Sequence, residues 1–303
     1  MSPGAPPVVA IFGPTGVGKT GVAIALAERL RAQGEDPVAI SADALQVYRG
    51  LKTLTGAATA HERERLEHRL IGFVDPSATF SVGEFMPLAH AEIDSARAEG
   101  RRPIVVGGTG LYLRAALTEL SLAPPPPPEL RERLERAIDE RGTAEMHAEL
   151  RARSPSAAAV IEPTDRTRIV RSLELLELGE EPPPVEGSEL WTDDVRIPTR
   201  LFGLTMDRDE LYRRVDARID AMVAAGAADE VRAAVAAGAT RTARAALGFE
   251  ELLAGDVDAM KRRTRQYAKR QLTWMRKLAG VTIIDVTGRT AGEVATEIET
   301  GSE

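Results

Sequence analysis

The segment from Gly13 to Thr20 has the composition of a phosphate-binding loop. It is Gly13-Pro14-Thr15-Gly16-Val17-Gly18-Lys19-Thr20 and fits the pattern G-x-x-x-x-G-K-[ST] throughout. Its glycines let backbone N–H groups and a helix N-terminus face an anion, while Lys19 can neutralise phosphate charge and the Thr20 hydroxyl can bind Mg²⁺. The pattern predicts a phosphorylated ligand, but kinases, other NTPases and some transferases share it.

A carboxylate and a second glycine turn follow two further β-branched runs. Asp43 comes directly after Val38 to Ser41, and the turn Gly107 to Gly110 comes after Ile104 to Val106. In a parallel sheet these run ends meet at the edge where active-site crevices form. Asp43 is therefore a candidate Mg²⁺ ligand or general base, although capping a helix is an equally ordinary role. Thr109 offers a hydroxyl in the turn, whose glycines could also serve tight packing.

Two helical segments concentrate positive charge in a chain whose formal net charge is −7. In the first, Asp165 is a predicted N-cap, and Arg168 and Arg171 share a helix face. In the second, from Lys261 to Lys277, eight Lys or Arg residues occur without a carboxylate, with two aromatic residues interleaved. Such a face suits a polyphosphate or an RNA backbone, whereas a solvated surface helix is the plainer interpretation.

The spacing within the second basic segment predicts one buried stripe. Ala268, Leu272, Met275 and Ala279 recur at helical intervals. This leaves a set of polar residues for other contacts: Arg265, Lys269, Arg270, Thr273 and Arg276. Gly280 is expected to end the helix.

The elements that position these residues alternate between strands and helices. Five β-branched runs are predicted strands: Val8 to Phe12, Val38 to Ser41, Ile104 to Val106, Leu201 to Leu204 and Val281 to Val286. Helix-length segments between most of them predict an α/β fold, a P-loop NTPase-like parallel sheet flanked by helices.

The alternation is interrupted between the third and fourth strands. A charge-rich helical stretch begins at Pro124 to Pro128 and closes near Pro182 to Pro184. We interpret residues 121–185 as an inserted helical domain, with residues 1–120 and 186–303 as a discontinuous catalytic core. The alternative is that these helices pack within a single domain, because proline runs also form ordinary loops.

Composition excludes several classes of protein. The chain has no cysteine and four scattered histidines, which excludes disulfides, Cys-ligated zinc and a cysteine nucleophile. Any metal must then be bound by oxygen. No apolar run approaches the roughly 20 residues that span a bilayer, and Met1 to Pro7 lacks the features of a signal peptide, so we expect a cytoplasmic protein with no membrane partner.

Taken together, the motifs resemble the tRNA dimethylallyltransferase (tRNA isopentenyltransferase) family over nearly the whole chain. The matching segments are Gly13 to Thr20, Ser41 to Asp43, Gln46 to Gly50, Gly107 to Tyr112, Asp165 to Glu174, Glu210 to Asp220, Ala246 to Glu250 and Thr264 to Arg276. The last of these is highly specific.

The resemblance implies a substrate pair and a reaction. The family transfers the dimethylallyl group of dimethylallyl diphosphate to N6 of the adenosine on the 3′ side of the anticodon, giving N6-(dimethylallyl)adenosine and diphosphate. Its substrates are tRNAs that read codons starting with U. The adenosine that is modified must leave the base stack of the anticodon loop to react. The implied partners are the tRNA anticodon stem-loop, clamped by the insertion, and dimethylallyl diphosphate; the implied cofactor is Mg²⁺, and we expect a monomer.

The resemblance also assigns roles to residues. Asp43 becomes the general base, Thr109 and Arg218 steady the reacting groups and the diphosphate, and Thr20 binds Mg²⁺. The phosphate loop, Gly13 to Thr20, becomes the diphosphate site. The implied tRNA contacts are Asp43, Ala44, Leu45, Gln46, Arg168, Arg171, Leu247, Gly248, Phe249, Lys269, Arg270, Gln271, Thr273, Trp274 and Arg276.

The chain departs from the family pattern at several positions. Residues Leu51 to Thr59 replace a common glycine-threonine-alanine-lysine-proline segment, and Thr164, Thr167 and Ala245 replace frequent amide residues. Three other functions stay open from the residues alone. They are a prenyltransferase acting on free adenine nucleotides, an ATP-dependent P-loop kinase in which Asp43 activates a hydroxyl, and a non-catalytic RNA-binding protein.

Overall fold

A six-stranded parallel sheet organises the computed structural model, which describes residues 6–182 and 189–301. The strands are β1 Val8–Phe12, β2 Pro37–Ser41, β3 His68–Arg69, β4 Arg102–Gly107, β5 Thr199–Thr205 and β6 Val281–Asp285, in the order β3-β2-β4-β1-β5-β6. The α/β prediction and its five strands are confirmed. The two-residue strand β3 was not predicted.

Helices follow or connect these strands in the larger of two compact units, residues 1–119 with 193–303. They are α1 Lys19–Ala32, α2 Lys52–Thr55, α3 Ala60–Arg65, α4 Val82–Ala98, α5 Gly110–Leu117, α10 Arg208–Ala224, α11 Ala227–Ala236, α12 Arg241–Arg244, α13 Phe249–Leu253, α14 Val257–Met275 and α15 Ala291–Thr300. Among the described residues, no helix is long and apolar enough to cross a membrane.

The second unit, residues 120–192, is helical. It contains α6 Pro128–Arg141, α7 Thr143–Arg153, α8 Pro155–Val160, α9 Arg166–Glu177 and a short 3-10 turn at Glu189–Trp191. Its own apolar core includes Leu134, Met146 and Ile169. As predicted, Asp165 caps α9, since its side chain accepts the Arg168 N–H at 3.1 Å. Residues 183 and 184 of the second proline group, and the boundary expected at 185/186, lie outside the described residues.

Burial in the larger unit follows from the sheet being covered on both faces. Every residue of β1 and β2 is buried, which is why these strands are continuous apolar runs instead of alternating ones. The side chains of Phe12, Ile40 and Ile104 have no solvent exposure. Polar chemistry is therefore displaced from the strands to the loops that follow them.

Ion pairs join α10 to α14. Arg265 donates to both carboxylate oxygens of Asp216 at 2.7 Å, and Lys261 pairs with Asp220 at 2.6 Å. The prediction that Arg265 is left for other contacts is therefore wrong, because the partner helix supplies a carboxylate that the segment itself lacks. The predicted end of α14 at Gly280 is also wrong, since the helix ends at Met275.

Candidate active site

Three loops meet at one edge of the sheet and line a cavity of about 830 Å³. The phosphate loop follows β1, Asp43 follows β2, and the glycine turn follows β4; these three strands are adjacent in the sheet. The carboxyl ends of parallel strands lie together, as expected for a ligand crevice in such a sheet. Helices α10 and α14 complete the lining with Arg218, Tyr267 and Gln271.

The phosphate loop has the backbone of an anion site. Gly16 and Gly18 adopt positive φ angles of 84° and 103°, which glycine tolerates without strain. Helix α1 begins at Lys19, directly after Gly18, and no side chain caps it. The first N–H groups of a helix have no partner within it and carry partial positive charge. The loop therefore directs backbone donors and a helix dipole toward the cavity.

Lys19 contributes an ammonium group whose protonation depends on its surroundings in this site. Its Nζ donates to the carbonyl oxygens of Gly13 at 2.9 Å and Pro14 at 3.0 Å. Burial lowers the pKa of Lys19 to about 8; Asp43 opposes the decrease and Arg218 adds to it. Asp43 and Arg218 are thus close enough to Lys19 to change its pKa, as is common among the charged residues of active sites.

Asp43 caps a turn and not a helix. Its Oδ1 accepts the Leu45 N–H at 3.0 Å, and the Ala44 N–H donates to Thr109 Oγ1 at 3.2 Å. The carboxylate and the threonine hydroxyl are therefore fixed by the same short turn. Thr109 also hydrogen-bonds the Tyr267 hydroxyl, whose pKa burial raises to about 12. Asp43, Leu45 and Gln46 line the cavity.

The glycines of the second turn permit close packing around the cavity. A Cβ at Gly107 would lie 2.2 Å from the carbonyl oxygen of Ala42, and one at Gly110 would lie 2.1 Å from the ring of Trp274. The packing role that the sequence left open for these glycines is confirmed.

Arg218 and the segment Leu51 to Thr59 form the wall facing the phosphate loop. Arg218 Nη2 donates to the Gly56 carbonyl at 3.1 Å, and a Cβ on Gly56 would lie 1.6 Å from that nitrogen. Burial lowers the pKa of Arg218, an effect that Asp43 opposes. Glu230 accepts the N–H groups of Thr53 and Leu54 at 2.9 and 3.0 Å. The segment that departs from the family pattern is therefore held through the backbone of its middle residues.

The family model for IPP transferase matches residues 46–278, which is more than half of the chain. The chain belongs to the IPP transferase family. A second family model, isopentenyl transferase, matches residues 6–74. The family consists of prenyl-transferring enzymes, and the resemblance inferred from the motifs is confirmed.

Named relatives that cover more than nine-tenths of the chain support this membership. A tRNA dimethylallyltransferase of Symbiobacterium thermophilum is 40% identical, covering 96% of this chain and 93% of the relative. The tRNA isopentenylpyrophosphate transferase of Bacillus halodurans, solved as a crystal structure, has a TM-score of 0.69 and 36% identity over 98% and 95% of the two chains. A eukaryotic dimethylallyltransferase described as acting on tRNA has a TM-score of 0.73 and 26% identity over 93% and 74%.

The predicted RNA contacts of this IPP transferase on α14 divide into two groups. Lys269, Arg270, Thr273 and Arg276 are exposed. No ion pair with another described residue engages the three basic members of that group, although Arg270 lies 5.5 Å from the Tyr267 ring. Gln271 is buried, and Trp274 packs on the glycine turn. The exposed group alone has the accessibility that phosphate contacts need.

The predicted contacts at Leu247 to Phe249 also differ among themselves. Leu247 lines the cavity, whereas Phe249 is fully buried in the apolar core. Gly248 has a φ of 90°, and a Cβ there would lie 2.4 Å from Met260. Leu247 is the member whose side chain faces the site.

The two predicted contacts on α9 lie in different environments. Arg168 is exposed and 3.5 Å from Asp165. Arg171 donates to the carbonyl oxygens of Ala123 and Pro124, both at 2.9 Å, and to Glu174 at 3.2 Å. Arg171 therefore holds the segment leading into the insertion within its own unit.

Sequence reasoning missed Tyr267, which lines the cavity, and Glu230, which holds the backbone of Thr53 and Leu54 in the cavity wall. Tyr267 was noted only as an aromatic within a basic segment, and Glu230 was not considered. The position of Tyr267 four residues before Gln271 on one helix face was an available signal. Glu230 had none, because its role depends on a contact between elements far apart in the chain.

Lys19 predicts a pH dependence for diphosphate binding. Below pH 8 the lysine is already protonated; above it the free protein must take up a proton to present the cation, because its pKa is about 8. Affinity for inorganic diphosphate should fall by up to about tenfold per pH unit above that value. Calorimetry from pH 6.5 to 10 measures it. Lys19→Arg stays protonated throughout and corrects for titration of diphosphate itself, so identical pH profiles for both proteins would contradict the assignment.

Proposed function

We propose that this enzyme transfers the dimethylallyl group of dimethylallyl diphosphate to N6 of the adenosine on the 3′ side of the anticodon. The observation that carries the proposal is the shared cavity: an anion-binding helix start, with Lys19, faces Asp43 and Arg218. Diphosphate chemistry and proton abstraction can then occur at one place. Relatives named tRNA dimethylallyltransferases support RNA as the acceptor.

The phosphate loop would hold the leaving group. As the bond between the allylic carbon and oxygen breaks, negative charge grows on the diphosphate, and preorganised donors stabilise it without reorganisation. The N–H groups at the start of α1, the Lys19 ammonium and the Arg218 guanidinium supply these donors. The half-buried position of both cations strengthens their interaction with the anion.

Asp43 would accept the proton. The exocyclic amine of adenine is a weak nucleophile because its lone pair is delocalised into the ring, so a base within hydrogen-bonding reach assists attack. One carboxylate oxygen is fixed by the Leu45 N–H, and the other is bound by no described residue. The new bond joins N6 to the allylic carbon, the electron pair of the broken bond leaves with diphosphate, and the N6 proton passes to Asp43. Thr109, tied to the same turn, would orient the reacting groups.

Thr20 fits a role in binding Mg²⁺. Its side chain lines the cavity at the start of α1, and the described residues contain no cluster of three or more His, Asp or Glu that could form a protein cage. Mg²⁺ commonly binds through few protein ligands together with substrate phosphates and water. When bound, the ion would supply positive charge to the diphosphate.

The exposed basic face of α14, formed by Lys269, Arg270 and Arg276, would bind the RNA backbone. We further propose that the inserted residues 121–185 clamp the anticodon stem through Arg168 and that the enzyme acts as a cytoplasmic monomer. These assignments derive from the family resemblance. Arg171 is a weaker candidate, because its guanidinium already serves the insertion itself.

Labelled donor tests the reaction directly. With Mg²⁺ and isotopically labelled dimethylallyl diphosphate, we expect label at N6 of the adenosine 3′ of the anticodon in unmodified tRNA and none on AMP. Mass spectrometry of the nucleosides distinguishes the products. Label on AMP would favour a nucleotide prenyltransferase. No label, with phosphate transfer from ATP, would favour a kinase, and no turnover with any donor would favour a non-catalytic RNA binder.

Asp43→Ala should lower the single-turnover rate by about 10²- to 10⁴-fold, because the base for the adenine amine is lost. Asp43→Asn should be similarly slow, since an amide keeps the hydrogen bond to Leu45 but cannot take the proton. Filter binding should show nearly unchanged tRNA affinity for both variants. A normal rate in Asp43→Asn would exclude Asp43 as the base.

The double variant Lys269→Gln/Arg270→Gln should weaken tRNA binding and reduce its salt dependence. Each lost phosphate contact should remove roughly 0.7 to 0.9 from the slope of log K against log salt. Filter binding across a salt series measures the slope. Arg208→Gln/Arg232→Gln removes the same charge from exposed sites elsewhere. Equal slopes for the two double variants would remove the α14 face from the RNA site.

A further inference from the structure

Gln271 connects two walls of the active-site cavity. Its side chain lies on α14 and is only 4% exposed. Its Oε1 accepts the Thr15 N–H of the phosphate loop at 2.8 Å, and its Nε2 donates to the Gly108 carbonyl of the glycine turn at 2.7 Å. One amide thus bridges the loop after β1 and the loop after β4.

The two ends of this bridge have opposite requirements. Thr15 presents a donor and Gly108 presents an acceptor, so the connecting side chain must accept at one end and donate at the other. A glutamate could accept from Thr15 but would face the Gly108 carbonyl with a second acceptor, next to the anion site. A methionine of similar length satisfies neither backbone group, and a buried unsatisfied group is costly.

The bridge has a fixed length because Gly108 lacks a side chain. A Cβ there would lie 2.4 Å from Gln271 Nε2. One helical turn before Gln271, Tyr267 hydrogen-bonds Thr109; one turn after it, Trp274 packs on Gly110. A single face of α14 therefore contacts the whole turn that carries Thr109.

The adjacent face of the same helix is exposed and basic. Lys269 and Arg270 lie two residues and one residue before Gln271. Helix α14 contacts the phosphate loop and the Thr109 turn and also carries the exposed basic face. Because a helix is a rigid element, the positions of these three features relative to one another are fixed. No described ion pair restrains Lys269 or Arg270, and Gln271 directly follows Arg270 in the chain.

We propose that Gln271 is a positioning residue that sets the diphosphate loop at a fixed distance from Thr109 and ties both to the helix that carries the exposed basic face. This role rests on the function proposed above. Gln271 acts on donor binding and on the geometry of transfer, and it does not contact RNA. Burial of its side chain separates it from Lys269, Arg270 and Arg276, with which the family resemblance groups it.

Gln271→Met tests the bridge with little change in volume. We expect kcat/KM for dimethylallyl diphosphate, at saturating tRNA, to fall by about 10- to 100-fold, and affinity for inorganic diphosphate to fall in the same direction. The Kd for tRNA should change less than about threefold. Gln266→Met, at an exposed glutamine of the same helix, serves as the matched control and should leave all three quantities unchanged.

Two further variants test the bridge from each end. Gln271→Glu should be at least as impaired as Gln271→Met, because the added charge lies beside the anion site. Gly108→Ala pushes on the same amide from the opposite side and should reproduce the donor defect, which also covers the case of a Gln271 variant that does not fold. Thermal melting identifies such a variant.

Several outcomes would overturn the proposal. Unchanged donor kinetics in Gln271→Met or wild-type behaviour in Gln271→Glu would show that the two-sided bridge is unnecessary. A parallel loss of tRNA affinity would place Gln271 in the RNA site instead. Inorganic diphosphate binding is measured without any transfer reaction, so the bridge is tested even if the wild-type enzyme labels no tRNA. In that case the proposed function fails and the diphosphate comparison still decides the role of Gln271.

Discussion

Two cations, Lys19 and Arg218, are held beside the carboxylate of Asp43 in a partly desolvated cavity, and the surrounding structure keeps both cations in place. Desolvation disfavours charged groups unless hydrogen bonds or opposite charges compensate. Backbone carbonyls provide the compensation: Gly13 and Pro14 accept from Lys19, and Gly56 accepts from Arg218. Such neutral acceptors hold the cations without neutralising them, so a bound anion still finds full positive charge.

Helix α14 serves the site through two distinct sets of contacts. Its first half is joined to α10, the helix of Arg218, by the pairs of Lys261 and Arg265 with Asp220 and Asp216. Its second half contacts the glycine turn on one side and exposes basic residues on the other. Exposed ion pairs contribute little to stability. Here the ion pairs matter more for geometry, because they fix the register between α10 and α14, and each of these helices supplies cavity residues.

The sequence predicted well wherever the signal was local. The strands, the phosphate loop and the Asp165 cap follow from short patterns of burial, glycine placement and capping, and the structure has them where they were expected. It predicted poorly where a partner lies far along the chain. Arg265 resembled a free surface charge because Asp216 is 49 positions away, and the two hydrogen bonds of Gln271 were not predicted because its partners belong to loops near residues 15 and 108. The strand β3 was missed because two residues carry no periodicity.

The wall formed by Leu51 to Thr59 is attached through its main chain and through apolar side chains, because Leu51 and Leu54 are buried in the apolar core. Glu230 binds two backbone N–H groups of the segment, and Arg218 binds a backbone carbonyl. These main-chain bonds do not themselves depend on side-chain identity, but Gly56 leaves no room for a Cβ and the buried side chains of the segment must stay apolar. Within the segment, Lys52 and Thr59 are the exposed positions, where substitutions disturb packing least. Evolutionary drift at such positions is uncoupled from the architecture that the segment supports, whereas drift at its buried positions is not.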